Sequence, residues 1–134
     1  MQAFKAALLE YGPEREPARW TMTRINLATT LQAMGEHGDP DALPHALALC
    51  QSTVDALSRD RRPLDWAAAQ HALGLTLLML GRHGDVDMLH RAATAFQAAL
   101  LERTPERAVS LHATSRHGLD IVLDALRRSG DPSP

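Results

Sequence analysis

A chain of 134 residues, 45% of them hydrophobic, can bury a core without help from metals or disulfides. Aromatic residues make up only 4%, and the apolar content is mainly Ala and Leu, which favours close helix–helix packing over sheets. A formal net charge of −2 argues against a phosphate-backbone binder, and the single cysteine, Cys50, rules out an internal disulfide framework and fits a reducing compartment.

The start, Met1-Gln2-Ala3-Phe4-Lys5, has no apolar run behind a basic segment, so it does not read as a secretory signal. The longest near-apolar run, Ala72 to Leu80, is far short of a membrane span. These features lead us to expect a soluble cytoplasmic protein with no nucleic-acid and no membrane partner.

The first predicted helix covers residues 2–11, where Phe4, Ala7, Leu8 and Tyr11 recur at helical spacing before Gly12-Pro13. The second covers residues 17–34, with Pro17 in its first turn and Trp20, Ile25, Leu27, Leu31 and Met34 as its apolar set. Gly35 is read as its stop and Asp39 as the cap of a third helix over 40–58, which carries Leu43, Ala46, Leu47, Cys50, Val54 and Leu57 on one face. The fourth, over 64–80, is the most apolar and is expected to be central. Gly81 to Asp85 break the chain before a fifth helix over 87–103. Thr104-Pro105-Glu106 reads as the start of a sixth over 105–128, and residues 132–134 as a tail.

The region from Pro63 to Leu101 nearly overlays the chain 46 positions earlier. Trp66 falls on Trp20, Leu73 on Leu27, Leu77 on Leu31, Gly81 on Gly35, Leu89 on Leu43 and Ala92 on Ala46. Ala95-Phe96-Gln97-Ala98-Ala99-Leu100-Leu101-Glu102 repeats residues 3–10 at twice that offset. With A and B as the two helix types, the expected order is B–A–B–A–B–A: six antiparallel helices in one all-α domain over residues 1–131.

A period of this length with two helices per unit marks an α-solenoid. The motifs Leu73-Gly74, Leu77, Ala92, Phe96 and Ala99, with Pro105 near the unit's end, resemble the tetratricopeptide repeat family. The family's usual unit is about 34 residues. The extra length here lies in the Gly81–Val86 turn and at the start of the helix, where Trp66 stands one turn before the usual Trp position, occupied by Gln70. Pro63-Leu64-Asp65-Trp66-Ala67 makes the chain similar to the long-unit arrays of large bacterial proteins. The resemblance implies a right-handed α–α superhelix whose A helices line a concave groove for a peptide or protein segment. It implies no cofactor and no catalytic activity.

Carried onto this chain, the groove face is Met22, Ile25, Thr29 and Gln32 on the first A helix. On the second it is Ala68, His71, Leu75, Leu78 and Met79, and on the third Thr114, His117, Ile121 and Asp124. The same residues could equally serve to pack neighbouring helices. His71 and His117 share a repeat position, but two ligands without a third do not make a metal site. Cys50 occupies the position of Phe96 and Phe4 and reads as a buried hydrophobe, while Arg59, Arg61 and Arg62, interrupted by Asp60 and Asp65, read as a solvated loop. An array that begins with B and stops with A leaves Phe4, Leu8, Leu119, Val122, Leu123 and Leu126 as candidate oligomer ends. Homo-oligomerisation through those ends, or a regulatory place in a larger signalling protein, is the alternative expectation.

Overall fold

A computed structural model describes residues 15–82 and 85–130. Within them the chain forms five helices and no strand: α1 (Pro17–Glu36), α2 (Ala42–Ala56), α3 (Pro63–Gly81), α4 (Val86–Glu102) and α5 (Val109–Arg128). The expected helix over 2–11, with Phe4 and Leu8, lies outside the described residues, as do His83, Gly84 and the tail.

Helix starts differ from the expected ones for local reasons. Asp39 Oδ1 accepts the Asp41 N–H (2.9 Å) and Gly38 turns at φ +100°, so a separate turn forms and α2 begins only at Ala42. The Thr104 carbonyl accepts from the N–H groups of Arg107 and Ala108, and Ala108 (φ −157°, ψ 72°) is not helical, so α5 begins at Val109 and not at Pro105. The Asp85 carboxylate caps α4 by accepting from the Met88 N–H at 3.2 Å.

Each helix packs on the next, and α3 also packs on α1 and α5, whereas α2 and α4 make no direct pairing. The result is two layers, α1–α3–α5 on one side and α2 and α4 on the other. Neighbours are antiparallel. The end of α3 meets the start of α4 at Gly81 and Leu89, and their middles meet at Gly74 and Phe96. Gln32 on α1 reaches Thr76 on α3, and His71 on α3 reaches Ser115 on α5, both 44 residues apart, and because neighbours are antiparallel the helices within the long layer run parallel.

The repeat in the sequence is also a repeat of contacts. A Cβ on Gly35 would lie 2.6 Å from the Leu43 side chain, and one on Gly81 would lie 2.8 Å from Leu89, so the same leucine packs on the same bare backbone in both hairpins. These glycines lie within α1 and α3 and permit close approach; neither is a left-handed stop.

Phe96 is fully buried at the centre. Its ring faces two glycines, Gly74 of α3 and Gly118 of α5, where added Cβ atoms would meet it at 3.0 and 2.6 Å. In the preceding unit the matching positions hold Cys50, Ala28 and Ala72, all in the same buried cluster. One layer is therefore filled by a large ring between two glycines, the other by a small thiol among alanines.

The outer faces of α1 and α5 are polar at positions that are buried on α3. Asn26 and Thr30 are exposed on α1, where α3 buries Ala72 and Thr76. Asp120 and Arg127 of α5 stand where α3 has Gly74 and Gly81, and they pair with Arg116 and Asp124 respectively. Leu119, Val122 and Leu126, expected at an open end, instead face inward and join the Phe96 core, while Leu123 is half-buried against it. The reason is geometric: α5 turns its apolar stripe back onto α3 and α4 and leaves its charges outward.

Candidate functional site: a cleft between α3 and α5

An open cleft of about 740 Å3 separates the C-terminal halves of α3 and α5. Leu78 and Gly81 line it from α3, Leu89 from the start of α4, and His117, Asp120, Ile121 and Asp124 from α5. Ile121 is 38% exposed, Leu78 is buried in the floor, and His117 and Asp120 stand in solvent at the rim. Asp120 and Asp124 are already held by Arg116 and by Arg127 and Arg128, so the rim carries both signs of charge around an apolar centre.

Of the groove residues expected from the sequence, the structure brings Leu78, His117, Ile121 and Asp124 together at this cleft. Met22 and Thr29 are exposed on α1, with the Thr29 hydroxyl donating to its own helix at Ile25 O. Thr114 likewise is exposed and donates to Ser110 O. Ile25 and Leu75 are half-buried against the core, and Ala68 and Met79 are also half-buried.

Gln32 is not a groove tooth. It is buried, and its amide Nε2 donates to Ala72 O (3.3 Å) and Thr76 Oγ1 (3.0 Å), tying α1 to α3. A buried amide must find partners within the protein, and α3 supplies them.

His71 is half-buried and also ties helices together. Its Nδ1 is 3.0 Å from Ser115 Oγ on α5, and its ring meets Phe96 edge-on with centroids 5.3 Å apart. The Arg103 guanidinium, at the end of α4 and only 6% exposed, donates through Nη1 to the same Ser115 Oγ at 3.0 Å. Its Nε is buried without a partner. His112 Nδ1 donates to the Arg103 carbonyl oxygen (2.9 Å) and so fixes the turn into α5. Burial, with Arg103 adding to it, pushes the His71 ring down to about 4, so it is neutral near pH 7. Ser115 then accepts from Arg103 and gives its own hydrogen to His71 Nδ1. The pair has the composition of a base and a nucleophile, but Ser115 is wholly enclosed and cannot meet a substrate.

Cys50 is buried, and burial raises its thiol to about 11, as an inert packing group would show. Among the described residues no three His, Cys, Asp or Glu side chains are placed to hold a metal ion, and no helix is long and apolar enough to cross a membrane.

Two features escaped the sequence. Arg24 stacks over Trp20 at 4.8 Å and donates to Thr53 Oγ1 (2.7 Å) and to Ser52, clamping α1 to α2. Arg107, distant in sequence, joins Arg61 and Arg62 around a pocket of about 340 Å3. There Arg62 pairs with Asp65, and Glu102 accepts from both Arg59 and Arg107. The hydrogen bond from Arg59 leads the causes that lower the Glu102 carboxyl. Only spatial placement reveals either cluster, since Arg24 and Thr53 lie 29 residues apart and Arg59 and Glu102 lie 43 apart.

A scan against protein-family models and searches of curated proteins and of solved structures give no match.

Proposed function

We propose that this protein is a tetratricopeptide-like helical-repeat module that binds a protein segment in the cleft between α3 and α5. On this reading α1, α3 and α5 are the A helices of a right-handed superhelix, α2 and α4 are B helices, and no catalytic step is involved. The observation that carries the proposal is the cleft itself: apolar Leu78, Leu89 and Ile121 lie at its centre, with His117, Asp120 and Asp124 around them. Such a lining fits one or two apolar anchors of a short helix or extended peptide, with the polar rim setting register. The repeated Gly35–Leu43 and Gly81–Leu89 contacts support the repeat reading. The polar outer faces of α1 and α5 favour binding through the cleft over end-to-end stacking.

The test is selection of peptides from a random display library on the immobilised protein, followed by affinity measurement with Ile121→Arg. Ile121 is exposed, so the substitution leaves the fold intact while placing a charge at the cleft centre. Selected peptides are expected to lose at least about tenfold in affinity, about 1.4 kcal/mol. Unchanged affinity for every selected peptide would remove the cleft from the function.

A further inference from the structure

The His71–Ser115–Arg103 junction has a cost that appears only when a proton is added. Ser115 Oγ accepts from Arg103 Nη1 and lies 3.0 Å from His71 Nδ1, so with the neutral ring in its Nε2–H tautomer the hydroxyl hydrogen goes to Nδ1. A protonated His71 would carry hydrogen on Nδ1. Ser115 would then face two cationic donors, and its own hydrogen would have no acceptor in a fully enclosed site.

Among the described residues no carboxylate pairs with His71 or Arg103 to offset the second charge. On α3, Asp65 is held by Arg62. On α4, Glu102 is held by Arg59 and Arg107. On α5, Asp120 and Asp124 are held by Arg116, Arg127 and Arg128. On α1 and α2 the interior charge is Arg24, engaged by Thr53 and Ser52. Among the described residues, Arg103 is the one charged group that acts on the ring, and it acts against protonation.

The junction also lies where α5 is joined to the rest. Ser115 is on α5, His71 on α3 and Arg103 at the end of α4, and among the described helices α5 packs only on those two. Beside the junction Phe96 contacts both His71 and Gly118 of α5, so a shift of the ring disturbs both contacts.

We propose that this junction is an acid-operated latch on α5: protonation of His71 releases α5 from α3 and α4 while the α1–α2 hairpin stays folded. The direction follows from linkage. The ring takes up a proton near 6.5 when exposed and near 4 when buried. The contribution of the latched state is therefore complete above about pH 6.5 and shrinks as pH falls toward 4. Released α5 takes one wall of the cleft with it, so acid would also empty the cleft. The latch itself does not depend on what the cleft binds.

Amide hydrogen exchange of the full chain between pH 7 and pH 4.5, corrected for the intrinsic pH dependence of exchange, tests the latch without any partner. Protection of the slowest amides in Val109–Arg128 is expected to fall by about tenfold per pH unit below 6.5, ahead of those in Pro17–Ala56. His71→Gln, which keeps a polar group in the junction but cannot charge, is expected to flatten that fall; His112→Gln is expected to leave it in place. Should His71→Gln fail to fold, titration of the His71 ring signal by NMR in the unmodified protein gives the same decision, with the ring remaining neutral until α5 protection is lost. Protection of α5 that is constant down to pH 4.5, an equal fall in His71→Gln, or a His71 ring that charges while α5 stays protected would each overturn the proposal.

Discussion

Phe96→Ala is expected to destabilise the protein by about 3–5 kcal/mol, near the top of the range for a buried aromatic. Phe96 is 0% exposed, and its ring fills the gap between three helices. The usual relief for such a cavity is inward movement of neighbouring side chains. Here the two facing residues, Gly74 and Gly118, have no side chain to move. The edge contact with His71 is lost as well, which removes support from the Ser115–Arg103 junction. Equilibrium urea unfolding reads the loss directly. Adding Gly74→Ala and Gly118→Ala to Phe96→Ala is expected to recover part of it, because the new methyl groups enter the vacated space. A loss below about 1 kcal/mol for Phe96→Ala would mean that the ring is not the keystone of this layer.

The second large effect is expected at Cys50. Cys50→Phe places a phenyl ring at the repeat position of Phe96, but among Ala28 and Ala72 instead of two glycines. Overpacking of this kind costs about 1–3 kcal/mol, and a change from thiol to phenyl belongs at the upper end. Adding Ala28→Gly and Ala72→Gly reproduces the glycine notch of the other layer and is expected to return part of the stability. The recovery is incomplete, since each glycine within a helix costs about 1 kcal/mol relative to alanine. Unfolding measured on the single, double and triple variants separates the two terms. If the glycines worsen Cys50→Phe instead of relieving it, the two layers do not share one packing rule.

These two sites show how much the sequence disclosed. The offset that aligns Gly35 with Gly81 and Leu43 with Leu89 proved to be one physical contact made twice. Hydrophobic spacing placed five described helices, with errors at starts where side-chain and carbonyl hydrogen bonds, such as those of Asp39 and Thr104, hold the chain in a separate turn. The interior polar residues were harder to read. Gln32 and His71 occupy A-helix positions that a repeat pattern assigns to the groove. Their actual role depends on hydrogen-bond partners 40 and 44 residues away in the chain, at Ala72, Thr76 and Ser115. Arg103 gave no periodic signal, because it caps α4 and reaches back between α3 and α5. The cleft is legible only in fragments: Leu78, His117, Ile121 and Asp124 are on the expected face, while the sequence places Gly81 in a turn and merely aligns Leu89 with Leu43. Periodicity reports which side of a helix is apolar; it does not report where two helices part.

The central claim is that a protein segment docks where α3 and α5 part, and chemical-shift mapping with a display-selected peptide addresses it most directly. The account predicts that the largest backbone amide perturbations fall on Leu78, His117, Ile121 and Asp124, the lining of the cleft. Perturbations centred instead on Gln51, Arg91 and Thr94, which line the smaller cleft between α2 and α4, would place binding on the opposite layer and contradict it.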